Sequence, residues 1–535
     1  MSNDIVDVLI IGAGAAGAAF AWRMADTRMR ILCLEQGDWM RPDTYPTTGR
    51  DWELRSLGDY SFNPNARRGV ADYPVNAKDS PIAVANFNGV GGGTVMYGAH
   101  FPRFHPSDFR VRTCDGVADD WPISYATLEP FYAENDRMMG VAGVAGDPAL
   151  PDKSVQMPPV PLGEVGERMA SAFNSLGWHW WPSDSAIATR PYEGRDQCKN
   201  LGLCTVGCAQ GAKASTDITY WPEAIRRGVE LRTRCRVREI TVDERGFASG
   251  VVYVDANGVE HHQRAEVVVL AANGIGTPRL MLNSVSGRFP NGIANRSDQV
   301  GRNLMFHPNA SVTGVFDEPM DGHMGPMACC LSSYEFYETD RARGFLRGYT
   351  LEMVRGRGPV TTSINGLLTG RIPWGASHHD AFAALWRRTT GLVVITEDLP
   401  EPHNRVTLDP VLTDGDGIPA PRISYCLSEN TARMLDHAVA RASEVLRAAG
   451  AREVIAESPW RLAGWHNLGT ARMGTDPETS VVNAWGRAHD VRNLFVIDGS
   501  VFVTSAGVNP TCTIQALALY IADAMTKRLA NLFDD

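Results

Sequence analysis

The hydrophobic pattern changes its period several times along the chain, and each change predicts an element. Val6 to Ile11 is an apolar run with branched side chains, broken only by Asp7, the pattern of a strand buried in a parallel sheet. An alanine-rich helix starts at Ala15, and Arg30–Leu34 predicts a second strand. Between 38 and 80, Pro, Gly, Asp and Arg accumulate without a period, which predicts an extended excursion; Ile82–Phe87 then reads as strand-like. Helices follow at Tyr125–Met139, Gly166–Leu176 and Trp221–Arg227, stopped by Gly140, Gly177 and Gly228, with a proline-rich connection at 143–162. From 229 the period falls to two. Leu231–Val242 and Ser249–Ala256 alternate, Asn257-Gly258 marks a hairpin, and Val259–Ala272 returns toward the first sheet. Short strand-like runs fill 310–425, among them Tyr349–Val354, Leu392–Thr396 and Arg422–Tyr425. Glu429–Ala449 is an amphipathic helix whose Met434, Leu435, Ala438, Val439, Ala442, Val445 and Leu446 share one face. A last buried strand begins at Asn493, and Pro510 opens a final apolar helix, Thr511 to Met525.

This order predicts an α/β fold: a Rossmann-like βαβ lobe with an inserted, mainly antiparallel-sheet lobe that binds substrate. The expected division is a nucleotide-lobe first part at 1–110, a helical and irregular excursion at 111–225, a second nucleotide part at 226–309, the inserted lobe at 310–460 and a C-terminal nucleotide part at 461–535. A chain of 535 residues is too long for one core, which agrees with two lobes. No internal repeat appears.

The first turn carries the chemistry. Gly12, Gly14 and Gly17 stand at G-x-G-x-x-G spacing directly after the first strand, and Glu35 closes the second strand twenty-three residues past Gly12. Such a unit binds a dinucleotide, with the phosphates on the helix N-terminus and the acid on a ribose. NAD and FAD are both open at this point. Three consecutive glycines, Gly91–Gly93, allow another close backbone approach. Near the other end, His466 and Asn509 lie in loops flanking the Asn493 strand; a histidine accepts an alcohol proton near neutral pH and an amide orients the same oxygen. The net charge of −10 argues against nucleic acid, and no apolar run is long enough to span a membrane. The N-terminus runs directly into the first strand, so a cytoplasmic protein is expected, with a periplasmic life requiring a partner that carries the export signal.

Together these motifs resemble the glucose–methanol–choline (GMC) family of FAD-dependent alcohol oxidoreductases. The likeness runs nearly end to end, through the βαβ unit, Gly89–Tyr97, Asp120–Tyr125, Val269–Pro278, Val300–Pro308, His466–Gly474 and Asn493–Thr511. It is nearest to the bacterial sugar-dehydrogenase branch, with pyranose oxidases more distant. The resemblance implies FAD, with Glu35 on the adenosine ribose and Gly12, Gly14 and Gly17 at the pyrophosphate. Gly91, Gly92, Thr94, Met96, Val237 and Ala272 are implied along the cofactor, and Asp498 and Gly499 near its ribityl chain. Asn509, Pro510 and Thr511 start the last helix, whose dipole favours negative charge on the flavin ring. Met96 stands where some relatives carry a histidine that attaches the flavin, so non-covalent FAD is implied.

The implied reaction is oxidation of a primary or secondary alcohol of a sugar, glycoside or related polyol, or of a non-sugar alcohol. His466 takes the hydroxyl proton, Asn509 holds the oxygen, and hydride passes to flavin N5. Electrons then leave to oxygen, a quinone or a cytochrome subunit. The Gly-Gly-Gly-Thr-Val-Met-Tyr-Gly stretch is also similar to enzymes that oxidise aminoglycoside hydroxyls. Cys198, Cys204 and Cys208, spaced C-x5-C-x3-C, resemble a three-cysteine site of the sugar-dehydrogenase branch that holds a 3Fe–4S cluster; free thiols or one disulfide are the alternatives. Two rival readings of the whole chain are a non-redox lyase of the same fold and an electron-transfer subunit. His307 is read as structural, and Glu397 and Asp398 as a solvated loop in preference to a pair facing an amino or hydroxyl group of a substrate.

Overall fold

Three stretches of the chain build the larger sheet of seven strands. The computed structural model describes residues 5–45, 52–202, 204–326, 328–356 and 358–534. Val6–Ile11 lies in the middle, parallel to Ile31–Leu34 on one side and to Glu260–Leu270 on the other. Glu230–Arg232 adds beyond Ile31–Leu34, and Leu494–Val496 pairs in parallel with the end of Glu260–Leu270. The first half of Glu260–Leu270 pairs antiparallel with Ala248–Val254, which in turn pairs with Arg236–Val242. One strand thus serves both the parallel core and an antiparallel hairpin, and the C-terminal strand rejoins the N-terminal unit.

The expected strand Leu231–Val242 is two strands. Arg234 takes a left-handed φ of 56°, and the chain turns so that Cys235 N–H donates to the Glu35 carbonyl at 2.8 Å. The break brings Val237 to the nucleotide end of the sheet. The helix Ala15–Met24 packs against the last helix, Thr511–Lys527, and its Ala16, Ala18, Ala19 and Ala21 are all buried, while Gly17 faces the Gly12 turn. Side chains this small let the two helix axes approach closely.

The second sheet has six antiparallel strands in the order Glu453–Glu457, Asn309–Val315, Thr389–Thr396, Tyr349–Val354, Ala328–Ser333, Trp181–Pro182. Glu429–Ala448 covers one face, with Met434, Leu435, Ala438, Val445 and Leu446 buried and Val439 half-buried at the edge of the stripe. Full burial of side chains such as Leu446 contributes about 1.5–3 kcal/mol each, so the helix seals the sheet and leaves the other face for the cavity. A small third sheet joins Arg405–Thr413, Pro419–Ser424 and Asn76–Asp79.

Ile82–Phe87 is not a sheet strand. Its backbone is satisfied by the loop before His466 instead: Ala83 N–H donates to Arg461 O and Ala85 N–H to Gly464 O, both at 2.8 Å. The helices Pro359–Leu368 and His378–Ala383 have no counterpart in the sequence reading. No helix among the described residues is long and apolar enough to cross a membrane.

Candidate active site

A cavity of about 420 Å³ runs between the two sheets, from the Gly12 turn to the side chains of His466 and Asn509. At its first end the walls are mainly backbone. Gly12 holds a φ of +105°, and a Cβ there would sit 2.5 Å from Ala271 O. A Cβ on Gly92 would sit 2.8 Å from Gly14 Cα, so the two glycine loops touch through their main chains. The helix Ala15–Met24 begins at Gly14 with no side-chain cap and no acid in its first turn. Its free N–H groups and positive end therefore face the cavity.

Glu35 is buried at this end, and its two oxygens accept Ala13 N–H and Gly37 N–H at 2.8 Å each. Those bonds oppose the burial that pushes its pKa upward. Thr94 accepts from Thr216 N–H at 3.0 Å and donates to Gly91 O at 2.6 Å, which holds the second glycine loop shut. Asp498 accepts from Asn273 N–H, Thr277 Oγ1 and Ser500 N–H, tying the turn after Leu494–Val496 to the helix start after Glu260–Leu270.

Gly12, Gly14, Glu35, Gly92, Thr94, Met96, Val237, Ala272, Asp498, Gly499, Asn509, Pro510 and Thr511 all line this one cavity, as does His466. Gly17 and Gly91 do not. Gly17 sits behind it, where a Cβ would meet Gly12 O at 2.0 Å, and Gly91 turns the loop with its N–H on Ala13 O at 2.9 Å.

At the second end the walls are side chains. His466 is buried, and its Nδ1 lies 2.7 Å from Nδ1 of His307. The proton between them can be placed from its surroundings. His307 Nε2 faces two carbonyl oxygens, Ser505 O at 3.0 Å and Ala506 O at 2.8 Å, which only accept. Nε2 therefore carries a hydrogen, and burial holds His307 near a pKa of about 4, so it is neutral and its Nδ1 has a lone pair. The shared proton belongs to His466 Nδ1. Burial, reinforced by His307 and His100, holds His466 well below its ordinary 6.5, which leaves its Nε2 as a free base.

His307, expected to be only structural, is thus in direct contact with His466. The reading of Glu397 and Asp398 as a solvated loop is also corrected. Both are about 1% exposed. Glu397 accepts from Arg347 at 2.8 Å. Asp398 accepts from Phe306 N–H at 3.2 Å, while its own N–H donates to Ser505 Oγ at 2.8 Å, so it braces both sides of His307. No sequence pattern marks this, because the residues come from separate elements.

Asn509 precedes the last helix, and its Oδ1 is buried without a partner. Glu352, from the centre of Tyr349–Val354, accepts a side-chain hydrogen bond from Asn509, and its Oε2 is 3.4 Å from His100 Nε2. Trp460 and Trp465 line the same end, their rings 5.1 Å apart and nearly perpendicular.

The three cysteines lie elsewhere. Cys198, Cys204 and Cys208 border a void of about 30 Å³ with Lys213, room for about two waters. Lys213 Nζ donates to Val95 O, Tyr97 O and Cys204 O, placing a cation against that loop. Among the described residues no three His, Cys, Asp or Glu side chains are arranged to hold a metal ion. The cluster reading has no support in this geometry.

A backbone cradle for a dinucleotide, continuous with a buried imidazole–amide pair on a Rossmann-like sheet, defines a nucleotide-dependent oxidoreductase. Family models described as GMC oxidoreductase match residues 167–309 and 400–518, and one described as an NAD(P)-binding Rossmann-like domain matches 10–45. The chain is 40% identical to 2-methyl-1,2-propanediol dehydrogenase of Mycolicibacterium austroafricanum, over 100% of this chain and 97% of the relative. It is 30% identical to the fructose dehydrogenase large subunit of Gluconobacter japonicus, covering 99% of both. It is 31% identical to paromamine 6'-oxidase of Streptomyces fradiae, over 99% of this chain and 93% of the relative. Among solved structures, pyridoxine 4-oxidase from Mesorbium loti superposes with a TM-score of 0.67 at 17% identity, covering 97% of this chain and 99% of that one. The chain belongs to the GMC oxidoreductase family and is an oxidoreductase acting on alcohol groups.

Proposed function

We propose that this chain binds FAD non-covalently and oxidises a carbinol of a polyhydroxylated substrate to an aldehyde or ketone. The observation that carries the reading is the proton arrangement at His466. Its Nδ1–H is committed to His307, so Nε2 is the only basic atom it offers to the cavity, beside the unpartnered Oδ1 of Asn509.

The residues present fit the cofactor. Unpaired N–H groups at the start of Ala15–Met24 suit a pyrophosphate, and the Gly12, Gly14 and Gly92 surfaces leave space a Cβ would fill. Thr511–Lys527 also starts without an acid in its first turn, so its positive end favours negative charge beside Asn509 and Pro510. Met96 lines the glycine loop and offers a thioether rather than an imidazole, which supports non-covalent binding. When bound, FAD supplies the acceptor for the hydride.

The chain's own part is acid–base and positional. Nε2 of His466 accepts the hydroxyl proton, and the side-chain N–H of Asn509 donates to the hydroxyl oxygen and holds it in place. The half-buried Trp460–Trp465 pair and the buried sheet face border that position. The named relatives act on a diol, fructose and paromamine, and they include both dehydrogenases and an oxidase. Proton removal by His466 is common to either kind.

The test is spectroscopic. Under anaerobic conditions a diol or sugar alcohol should bleach the flavin of the purified protein, and acid precipitation should release that flavin into the supernatant. If no alcohol bleaches it, the reading fails.

A further inference from the structure

Glu352 is a carboxyl in the wrong place for a structural role. It occupies the centre of a buried antiparallel strand, opposite Ser332 on one neighbour and Val393 on the other. Directly opposed residues share a sheet face, and this face lines the cavity with Val354, Val393, Ile395 and Ser311. That face mixes Val354, Val393 and Ile395 with Ser311 and Ser332, and burying an acid on it costs free energy unless the acid is hydrogen-bonded. Among the described residues no Lys or Arg pairs with it, and the one ionisable side chain within ion-pair distance is His100, at 3.4 Å.

His100 does not provide a charge. Its Nδ1 lies 3.2 Å from Ser183 Oγ, its Nε2 is buried without a hydrogen-bond partner, and burial lowers its pKa to about 3. Burial raises Glu352 to about 8 against the opposing hydrogen bond of Asn509. Near neutral pH the pair is therefore an acid that still carries its proton beside a neutral imidazole. Around that carboxyl stand two unpartnered buried atoms, His100 Nε2 and Asn509 Oδ1. The cluster is unsatisfied as it stands, and it opens onto the space next to His466.

We infer that Glu352, flanked by His100 and Asn509, is a second anchoring site that binds a hydroxyl on the carbon next to the one oxidised, so the substrate class is a vicinal diol or polyol rather than a monohydric alcohol. A protonated carboxyl offers one donor and one acceptor side by side, which matches a hydroxyl. An ammonium offers only donors and would require the ionised acid in a buried position. The inference rests on the reading of His466 and Asn509 as the reacting end, because it assigns the neighbouring group to the same substrate.

The test uses the FAD-loaded full chain and compares propane-1,2-diol with propan-1-ol, which present the same reacting CH2OH. The wild type should favour the diol at least tenfold in kcat/KM. In Glu352→Leu that ratio should fall close to one, through KM more than kcat, whereas Glu352→Gln, which keeps a donor and an acceptor, should stay within threefold of the wild-type ratio. If the leucine variant does not retain flavin, Glu352→Val replaces it with the same expectation. An unchanged ratio in the apolar variant overturns the inference, as does a wild type that prefers 2-aminopropan-1-ol to the diol. A calorimetric titration with the diol in the His466→Ala background gives a readout free of turnover. Adding Glu352→Leu there should weaken Kd at least tenfold, and equal affinities overturn the inference. If no alcohol bleaches the wild type, the proposed reaction has failed, and this titration still decides the anchoring site.

Discussion

At the Gly12 end of the cavity the contacts are made by backbone from two glycine turns; at the His466 end they are made by side chains from five separate segments, those of His100, His307, Glu352, His466 and Asn509. The first end needs close approach and free N–H groups, which glycine spacing and a helix start provide locally. The second needs dry, neutral, mutually oriented groups, which only tertiary packing provides. The difference predicts different failures. Damage to the cradle should lose the cofactor, and damage to the far end should leave a loaded but inactive protein.

The most severe test falls on the cradle. Gly12→Val places a branched side chain where even a Cβ would be 2.5 Å from Ala271 O, at a φ of +105°. Strain and clash together should cost about 2–4 kcal/mol of stability, and the flavin-to-protein ratio should fall close to zero. A variant that keeps its flavin would show that this turn is not the cradle.

His466→Ala is the matching test at the other end. It removes the base and leaves the glycine loops untouched. Turnover should drop by about 10²–10⁴-fold with the flavin ratio unchanged. Retained turnover would return the electron-transfer reading; lost flavin would mean that the two ends are not separable.

The same contrast explains what could be read from the residues. The Gly12 unit was legible because its requirement is local: a strand, a turn and a helix start within a few residues. Tyr125–Met139 and Glu429–Ala448 were legible for a related reason, since one buried stripe at helical period is a property of consecutive residues. His466 and Asn509 were nameable by resemblance, but their partners were not. His307 lies 159 residues from His466 in the chain, and nothing around it signals that their rings will meet. Glu352 reads as the polar member of an alternating strand, and its alternation is correct; only the packing of two lobes shows that its face looks into the cavity. Ile82–Phe87 misled because extended apolar residues satisfy their backbone equally well on a loop as on a sheet.

His307 offers a finer cut, because it acts through His466 and not on the substrate. His307→Leu leaves His466 Nδ1–H without its acceptor, so the ring has no reason to keep Nε2 free. The loss in kcat should be about 10–100-fold, smaller than for removing the base. His307→Gln, whose amide oxygen can accept the same proton, should recover much of it. Equal losses in the two variants would reduce His307 to a packing residue.

The smallest effect concerns pH, and the buried groups at the His466 end pull in opposite directions. His100, His307 and His466 all have pKa values below the ordinary 6.5. Below that pH the unfolded chain takes up protons that the folded protein refuses, so their contribution is present above 6.5 and is lost as pH falls. Glu352 has the reverse sign. Its folded value of about 8 lies above the ordinary 4.5, so the folded state holds a proton that the unfolded chain releases, and stability falls as pH rises from about 4.5 to about 8. Asp398, pushed up to about 7, adds the same sign over a narrower range. Glu352→Gln removes one contribution without changing shape. The Tm of the variant relative to wild type should therefore rise with pH between 5.5 and 8.5, by roughly 2–5 °C in total, and then level off. Calorimetry of the flavin-loaded proteins across that range is the measurement. A flat difference would mean that Glu352 is already ionised in the fold, and the neutral acid that matches a hydroxyl would have to be given up while His466 kept its role.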